Sequence, residues 1–238
     1  MQITTYPFPQ AITEKHFYGK TAIVVDVLRA TTSIVEALKN GATQVITARD
    51  PAEAMAFYSH FGKKDSVLAG ERGGLRIADF ELGNSPLEFS EKVVKDKTVV
   101  ICTTNGTQAI HACRGASRLL IGAMRNRAAV AKEALKQGED ITIICAGTLG
   151  ECSLDDVIAS GGILNAIIKQ LEVSPELNDF SSICLSLYSS WRKGEIEMSG
   201  ITHYKKLFEL GFIEDLSFCF ELDKTDVVPK YSNGSIKG

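Results

Sequence analysis

A chain of 238 residues with 45% apolar content can bury a sizeable core, which argues against disorder. Its 26 Lys and Arg against 29 Asp and Glu leave a net charge of −3, so no basic excess marks a nucleic-acid partner. No run approaches the ~20 apolar residues of a membrane span, and Met1 to Gln10 lack the basic-then-apolar layout of a signal peptide; a cytoplasmic protein with no membrane partner is expected.

Taken in chain order, Val- and Ile-rich runs at Thr21–Val27, Thr98–Cys102 and Ile141–Cys145 are each followed by a Gly/Thr-rich turn and a helical pattern. Continuous apolar runs of this length read as strands buried on both faces of a parallel sheet. Further strands are predicted at Gln44–Thr47, Ser66–Ala69, Arg118–Ile121 and Ser182–Ser186. Helices are predicted at Ser33–Asn40, Pro51–Phe61, Thr107–Arg114, Arg127–Gln137, Asp155–Leu171 and Ile201–Leu210. The alternation predicts a three-layer α/β/α sandwich with a largely parallel or mixed sheet, built as a single domain over residues 1–238. The tail from Asp223 to Gly238 reads as an extended polar cover.

A gapless shift of 74 residues lays Val25 on Val99 and Gly41-Ala42-Thr43 on Gly115-Ala116-Ser117. Either a duplicated β-α-β unit or shared turn chemistry accounts for this. Both readings place the loops Asp26–Thr32 and Thr103–Thr107 on one sheet edge beside the third loop Ala146–Asp155, where open α/β sheets bind ligands.

The first loop, Asp26-Val27-Leu28-Arg29-Ala30-Thr31-Thr32, sets an acid at a strand end and a cation with two hydroxyls before a helix. Such an acid needs a partner: a metal or substrate, or an ion pair with Arg29 above a Thr31 or Thr32 cap. The second loop, Thr103-Thr104-Asn105-Gly106-Thr107, offers amide and hydroxyl groups as a neutral cradle for anion oxygens, although these are also ordinary turn residues. In the third, Glu151, Asp155 and Asp156 crowd the start of a helix. They suit a hard cation such as Mg²⁺, or a capping box from Ser153 to Asp156. Gly70-Glu71-Arg72-Gly73-Gly74 and Leu82-Gly83-Asn84-Ser85-Pro86 combine close-approach glycines with polar side chains. Arg127 could grip an anion, whereas Arg125 is expected to be solvated.

Several chemistries lack their signature. There is no Walker loop and no Gly-x-Gly-x-x-Gly fingerprint. A haloacid-dehalogenase Asp-x-Asp fails at Leu28, and no cysteine has the arginine of a cysteine phosphatase six residues on. The six cysteines show no zinc spacing and are expected to be reduced core residues. None of His16, His60, His111 and His203 lies in the three loops, so histidine-centred chemistry is not expected.

Together, Val-Asp-Val-Leu-Arg-Ala-Thr-Thr at 25–32, Gly-Glu-Arg at 70–72, Leu-Gly-Asn-Ser-Pro at 82–86, Thr-Thr-Asn-Gly-Thr at 103–107 and Ser-Leu-Asp-Asp at 153–156 resemble the 2-phosphosulfolactate phosphatase family. The resemblance implies a Mg²⁺-dependent hydrolysis of 2-phospho-3-sulfolactate, or related 2-phosphorylated hydroxy acids, to 3-sulfolactate and phosphate, a step of coenzyme M biosynthesis in methanogens. On that basis Mg²⁺ is expected on Asp26 and Asp156, with Glu71 or Asp155 assisting; Asp26 as a covalent nucleophile remains the alternative. Asp26, Arg29, Glu71 and Asp155 are the expected catalytic set. Thr31, Arg72, Asn84, Ser85, Thr104, Asn105, Gly106, Thr107 and Arg127 are expected to bind the substrate, a small phosphorylated acid. A non-catalytic anion-binding protein and a metal-independent lyase or isomerase are the rival readings, and a homodimer is left open.

Overall fold

The computed structural model describes residues Met1–Gly238. Its strands are β1 (Gln2–Tyr6), β2 (Thr21–Val25), β3 (Gln44–Thr47), β4 (Ser66–Arg72), β5 (Leu75–Arg76), β6 (Thr98–Cys102), β7 (Arg118–Gly122), β8 (Ile141–Cys145), β9 (Glu176–Leu177), β10 (Lys230–Ser232) and β11 (Ser235–Lys237). The helices are α1 (Ala30–Lys39), α2 (Pro51–Phe61), α3 (Glu91–Val94), α4 (Gly106–Ala112), α5 (Arg127–Leu135), α6 (Leu154–Ile168), α7 (Asp179–Arg192), α8 (Thr202–Glu209) and α9 (Ile213–Cys219).

All the strands join one mixed, largely parallel sheet in the order β5-β4-β6-β3-β11-β10-β7-β2-β8-β1-β9. It consists of two parallel blocks, β4-β6-β3 and β7-β2-β8-β1-β9. The hairpin β10–β11 joins them through three successive antiparallel pairings, so the blocks run oppositely along the ladder. The tail predicted to be a polar cover is therefore a central part of the sheet, with Ile236 fully buried. Its polar outward residues masked a register that only the neighbouring strands supply.

Burial on both faces explains why the central strands read as unbroken apolar runs. In β2, Ile23 and Val25 face one core with α5, α6 and α7, whereas Ala22 and Val24 face another built on α1 and α4. That second core also takes Val45, Val99 and Ile101 from the other block, so α1 and α4 form one layer spanning both. The outer face of the smaller block is covered by Ala54 and Tyr58 of α2. The expected α/β sandwich is thus present. Two of its β-α-β connections cross between the blocks: β2-α1-β3 begins in one block and ends in the other, and β6-α4-β7 returns.

The strand predicted at Ser182–Ser186 lies inside α7. Ser181, Cys184 and Tyr188 are its buried positions, a helical spacing, and the Asn178 side chain caps its start by accepting from Ser181 N–H. A Cβ on Gly161 of α6 would collide with the Cys184 carbonyl, and one on Gly162 would crowd the Tyr188 ring, so these two glycines let α7 pack directly on α6.

Candidate functional site

The loops after β2, β6 and β8 meet, though not as one edge of one parallel sheet. β2 and β8 are parallel neighbours. β6 belongs to the opposed block, and its loop arrives because α4 lies against α1. The contact is tight: a Cβ on Gly106 would stand 2.5 Å from Ala30 Cβ and 2.7 Å from Asp26 Oδ2. Gly106 is therefore required for the loops to close on Asp26.

The resulting cleft is polar and is lined by Asp26, Arg29, Glu71, Gly74, Asn84, Thr104, Asn105, Thr148, His203 and Lys206, among others. Asp26 is buried, and Ala30 N–H donates to its Oδ1 at 3.2 Å. Burial pushes its carboxyl up to about 6; His203 and the Ala30 amide act against this, and the like charges of Asp155 and Glu71 add to it. Glu71 fixes two loops, its Oε2 accepting from Gly74 N–H and its Oε1 from Thr104 N–H.

Asp156 accepts from Val27 N–H at 2.9 Å and Gly147 N–H at 3.0 Å, one oxygen each. Rather than closing a capping box, it ties the first loop to the third from behind the cleft wall. Burial, then Asp155 and Asp26, holds its carboxyl well above the usual range. Asp155, fully buried, accepts from Ser153 Oγ and sits 3.2 Å from His203 Nδ1.

Arg29 does not pair with Asp26. Its Nη1 donates to Asp215 Oδ2 at 2.6 Å, its Nη2 donates to the Gly74 carbonyl, and its guanidinium stacks on Phe212. Ser85 Oγ donates to the other Asp215 oxygen at 2.6 Å, so α9 anchors the cation from beneath. Thr31 and Thr107 are turned inward, their hydroxyls donating to the Asp26 and Thr103 carbonyls. Asn105 Oδ1 accepts from Leu149 N–H and holds the third loop.

Two of the arginines expected to bind substrate lie outside this cleft lining. Arg72 is exposed and donates to its neighbour's carbonyl and to Cys102 Sγ. Arg127 pairs with Asp223 at 2.6 Å and donates to Tyr188 Oη. Arg125, expected to be solvated, is buried between Glu36 and Glu221 and stacks on Phe218.

The expectation about histidine also needs correction. His203 of α8 lines the cleft beside Asp155. Burial lowers its pKa, but the Asp155 hydrogen bond and the charges of Asp155 and Asp26 outweigh that and hold it above the ordinary value. The one available signal was its spacing: His203, Lys206 and Leu207 share a helix face. Nothing in the sequence tied that face to loops 48 or more residues away. Here a close approach does so, since Gly74, at φ +94°, where a side chain would be strained, packs against Leu207 and Leu210.

No three Asp, Glu, His or Cys side chains form a metal-holding group. A hard cation here would draw most of its coordination from water and a bound anion, as Mg²⁺ ordinarily does. The donors fit that mode: a cleft carboxylate on Asp26, Glu71 nearby, and two buried oxygens, Asn84 Oδ1 and Thr104 Oγ1, without hydrogen-bond partners.

Comparison with known proteins gives one consistent result. The family model for 2-phosphosulpholactate phosphatase matches residues 6–234. A protein of Clostridium acetobutylicum named probable 2-phosphosulfolactate phosphatase is 40% identical over 227 residues, covering 94% of this chain and 95% of that protein. One from Clostridium tetani with the same name is 41% identical over 226 residues, covering 95% of each. Another, from Caldanaerobacter subterraneus subsp. tengcongensis, is 37% identical over 238 residues, covering 100% of this chain and 98% of its own.

Proposed function

Because the chain belongs to the 2-phosphosulpholactate phosphatase family and is a phosphatase, we propose that it hydrolyses 2-phospho-3-sulfolactate, and related 2-phosphorylated hydroxy acids, to the free hydroxy acid and phosphate with Mg²⁺ in the cleft. The observation that carries this reading is Asp26: a buried carboxylate opening on the cleft, crowded by the like charges of Glu71 and Asp155. A divalent cation offsets that crowding, which favours Asp26 as a cation ligand over Asp26 as a covalent nucleophile. Asp156, with each oxygen already accepting an amide, is read as the residue that holds the loops around it.

Bound at Asp26 with Glu71 nearby, Mg²⁺ would neutralise phosphoryl oxygens and offset the charge that develops on transfer. The chain's own residues bind and orient. Thr104 Oγ1, with no internal partner, supplies a hydroxyl donor for a phosphoryl oxygen. Arg29, fixed by Asp215 and the Gly74 carbonyl, lines the cleft as a preorganised guanidinium whose charge Asp215 largely offsets. His203, held at Nδ1 by Asp155, presents Nε2 as a donor toward the ester or phosphoryl oxygen.

The test is phosphate release from 2-phospho-3-sulfolactate with Mg²⁺ and then with excess EDTA. Release that collapses in EDTA and returns with Mg²⁺ is the expected result. Undiminished release in EDTA would remove the cation from the reading, and no release from folded protein would leave a binding function.

A further inference from the structure

The proposed substrate carries acid groups besides the phosphate, and the cleft must neutralise them. Three basic side chains line it: Arg29, His203 and Lys206. Arg29 is committed to Asp215 at 2.6 Å, and His203 to Asp155 at 3.2 Å. Both acids are buried, so these two cations largely cancel charges belonging to the fold. Lys206 forms no ion pair; the nearby Glu209 is approached instead by Lys205, at 3.9 Å. It is the only uncommitted cation on the cleft wall.

Its position is set by packing. Leu207, 1% exposed, anchors α8 in the core. Gly74 allows Leu207 and Leu210 to close onto the turn between β4 and β5. One helical face then presents His203 and, one turn on, Lys206. This puts the ammonium at the solvent rim, while Asp26 and Thr104 lie deeper in the same cleft. A substrate with its phosphate seated at Asp26 and Thr104 would extend one of its two remaining acid groups outward to that rim.

We infer that Lys206 is a specificity-determining residue: it binds one of the two acid groups of the substrate that are not transferred, the carboxylate or the sulfonate. The inference rests on the phosphatase reading of the same cleft. A lysine suits this task because its flexible stem and three donors accept a tetrahedral sulfonate or a planar carboxylate.

The experiment compares wild type, Lys206→Gln and Lys206→Arg on 2-phospho-3-sulfolactate and on ethyl phosphate, which has no second acid group. Loss of one charge-assisted contact at a partly exposed site should lower the ratio of kcat/KM between these substrates by about 10-fold in Lys206→Gln, chiefly through KM. Lys206→Arg should restore most of it. An unchanged ratio overturns the inference. O-phospholactate carries only the carboxylate and O-phosphoisethionate only the sulfonate; the one whose preference over ethyl phosphate falls in Lys206→Gln identifies the group that is read. If wild type releases phosphate from none of these, the phosphatase reading fails on its own. Calorimetric binding of 3-sulfolactate then decides the subsite: weaker binding by Lys206→Gln sustains it, and equal affinity overturns it.

Discussion

Two regions of this molecule bury charge, and they do so in opposite ways. Around Arg125, opposite charges meet: its guanidinium pairs with Glu36 at 2.8 Å, pairs with Glu221, and stacks on Phe218. Around Asp26, like charges crowd, with Asp155, Asp156 and Glu71 all buried nearby and His203 as a partial counterweight. The first arrangement satisfies itself and fastens α1 to the segment after α9. The second is left with an excess of negative charge that folding does not relieve, which supports the proposal that a cation binds there. Burial alone therefore does not separate structural from functional charge; the sign of the neighbours does.

Substituting one residue in each region should break the comparison cleanly. Asp26→Asn removes the cleft carboxylate and keeps its shape. Phosphate release at saturating Mg²⁺ should fall by about 10²- to 10³-fold, with circular dichroism unchanged; turnover within a few-fold of wild type would mean that the centre lies elsewhere. Arg125→Met keeps the bulk and removes the charge, leaving Glu36 buried beside only Lys39. Breaking a buried pair from one side costs about 3–5 kcal/mol, here somewhat less because Lys39 remains. Denaturant unfolding should show this loss while kcat of the folded fraction stays near wild type.

The same contrast explains how much was legible in the sequence. Asp26 stood out because a carboxylate at the end of an apolar strand needs a partner, and Glu71 because it sits among close-approach glycines; both line the cleft. The partners themselves were not legible. Arg29 is three residues from Asp26 yet pairs with Asp215, 186 residues away. Arg125 looked like a surface residue because both of its acids are remote. The main strands were readable from their doubly buried runs. The β10–β11 hairpin was not, since three-residue strands carry too little pattern to be recognised without neighbours. For the same reason the sequence placed the three loops on one parallel edge, when the hairpin reverses one block and the α1–α4 contact reunites them.

If the charge around Asp26 is truly uncompensated, it should cost stability, and by an amount that depends on pH. Its carboxyl is raised from the ordinary 3.8 to about 6 by burial. A raised carboxyl pKa favours folding fully below about pH 4, where both states hold the proton, and that advantage is lost as pH rises through about 6. At one pKa unit per about 1.4 kcal/mol, the ionised group costs the folded chain up to about 3 kcal/mol at neutral pH. Asp26→Asn should therefore be more stable than wild type at pH 7.5 in EDTA, by about 2 kcal/mol, and indistinguishable from it near pH 4. Adding Mg²⁺ should narrow the difference at pH 7.5 by stabilising wild type alone. A variant no more stable than wild type in EDTA would mean that the neighbouring His203 already balances the carboxylate, and that Asp26 is held like Glu36 rather than exposed to its own kind.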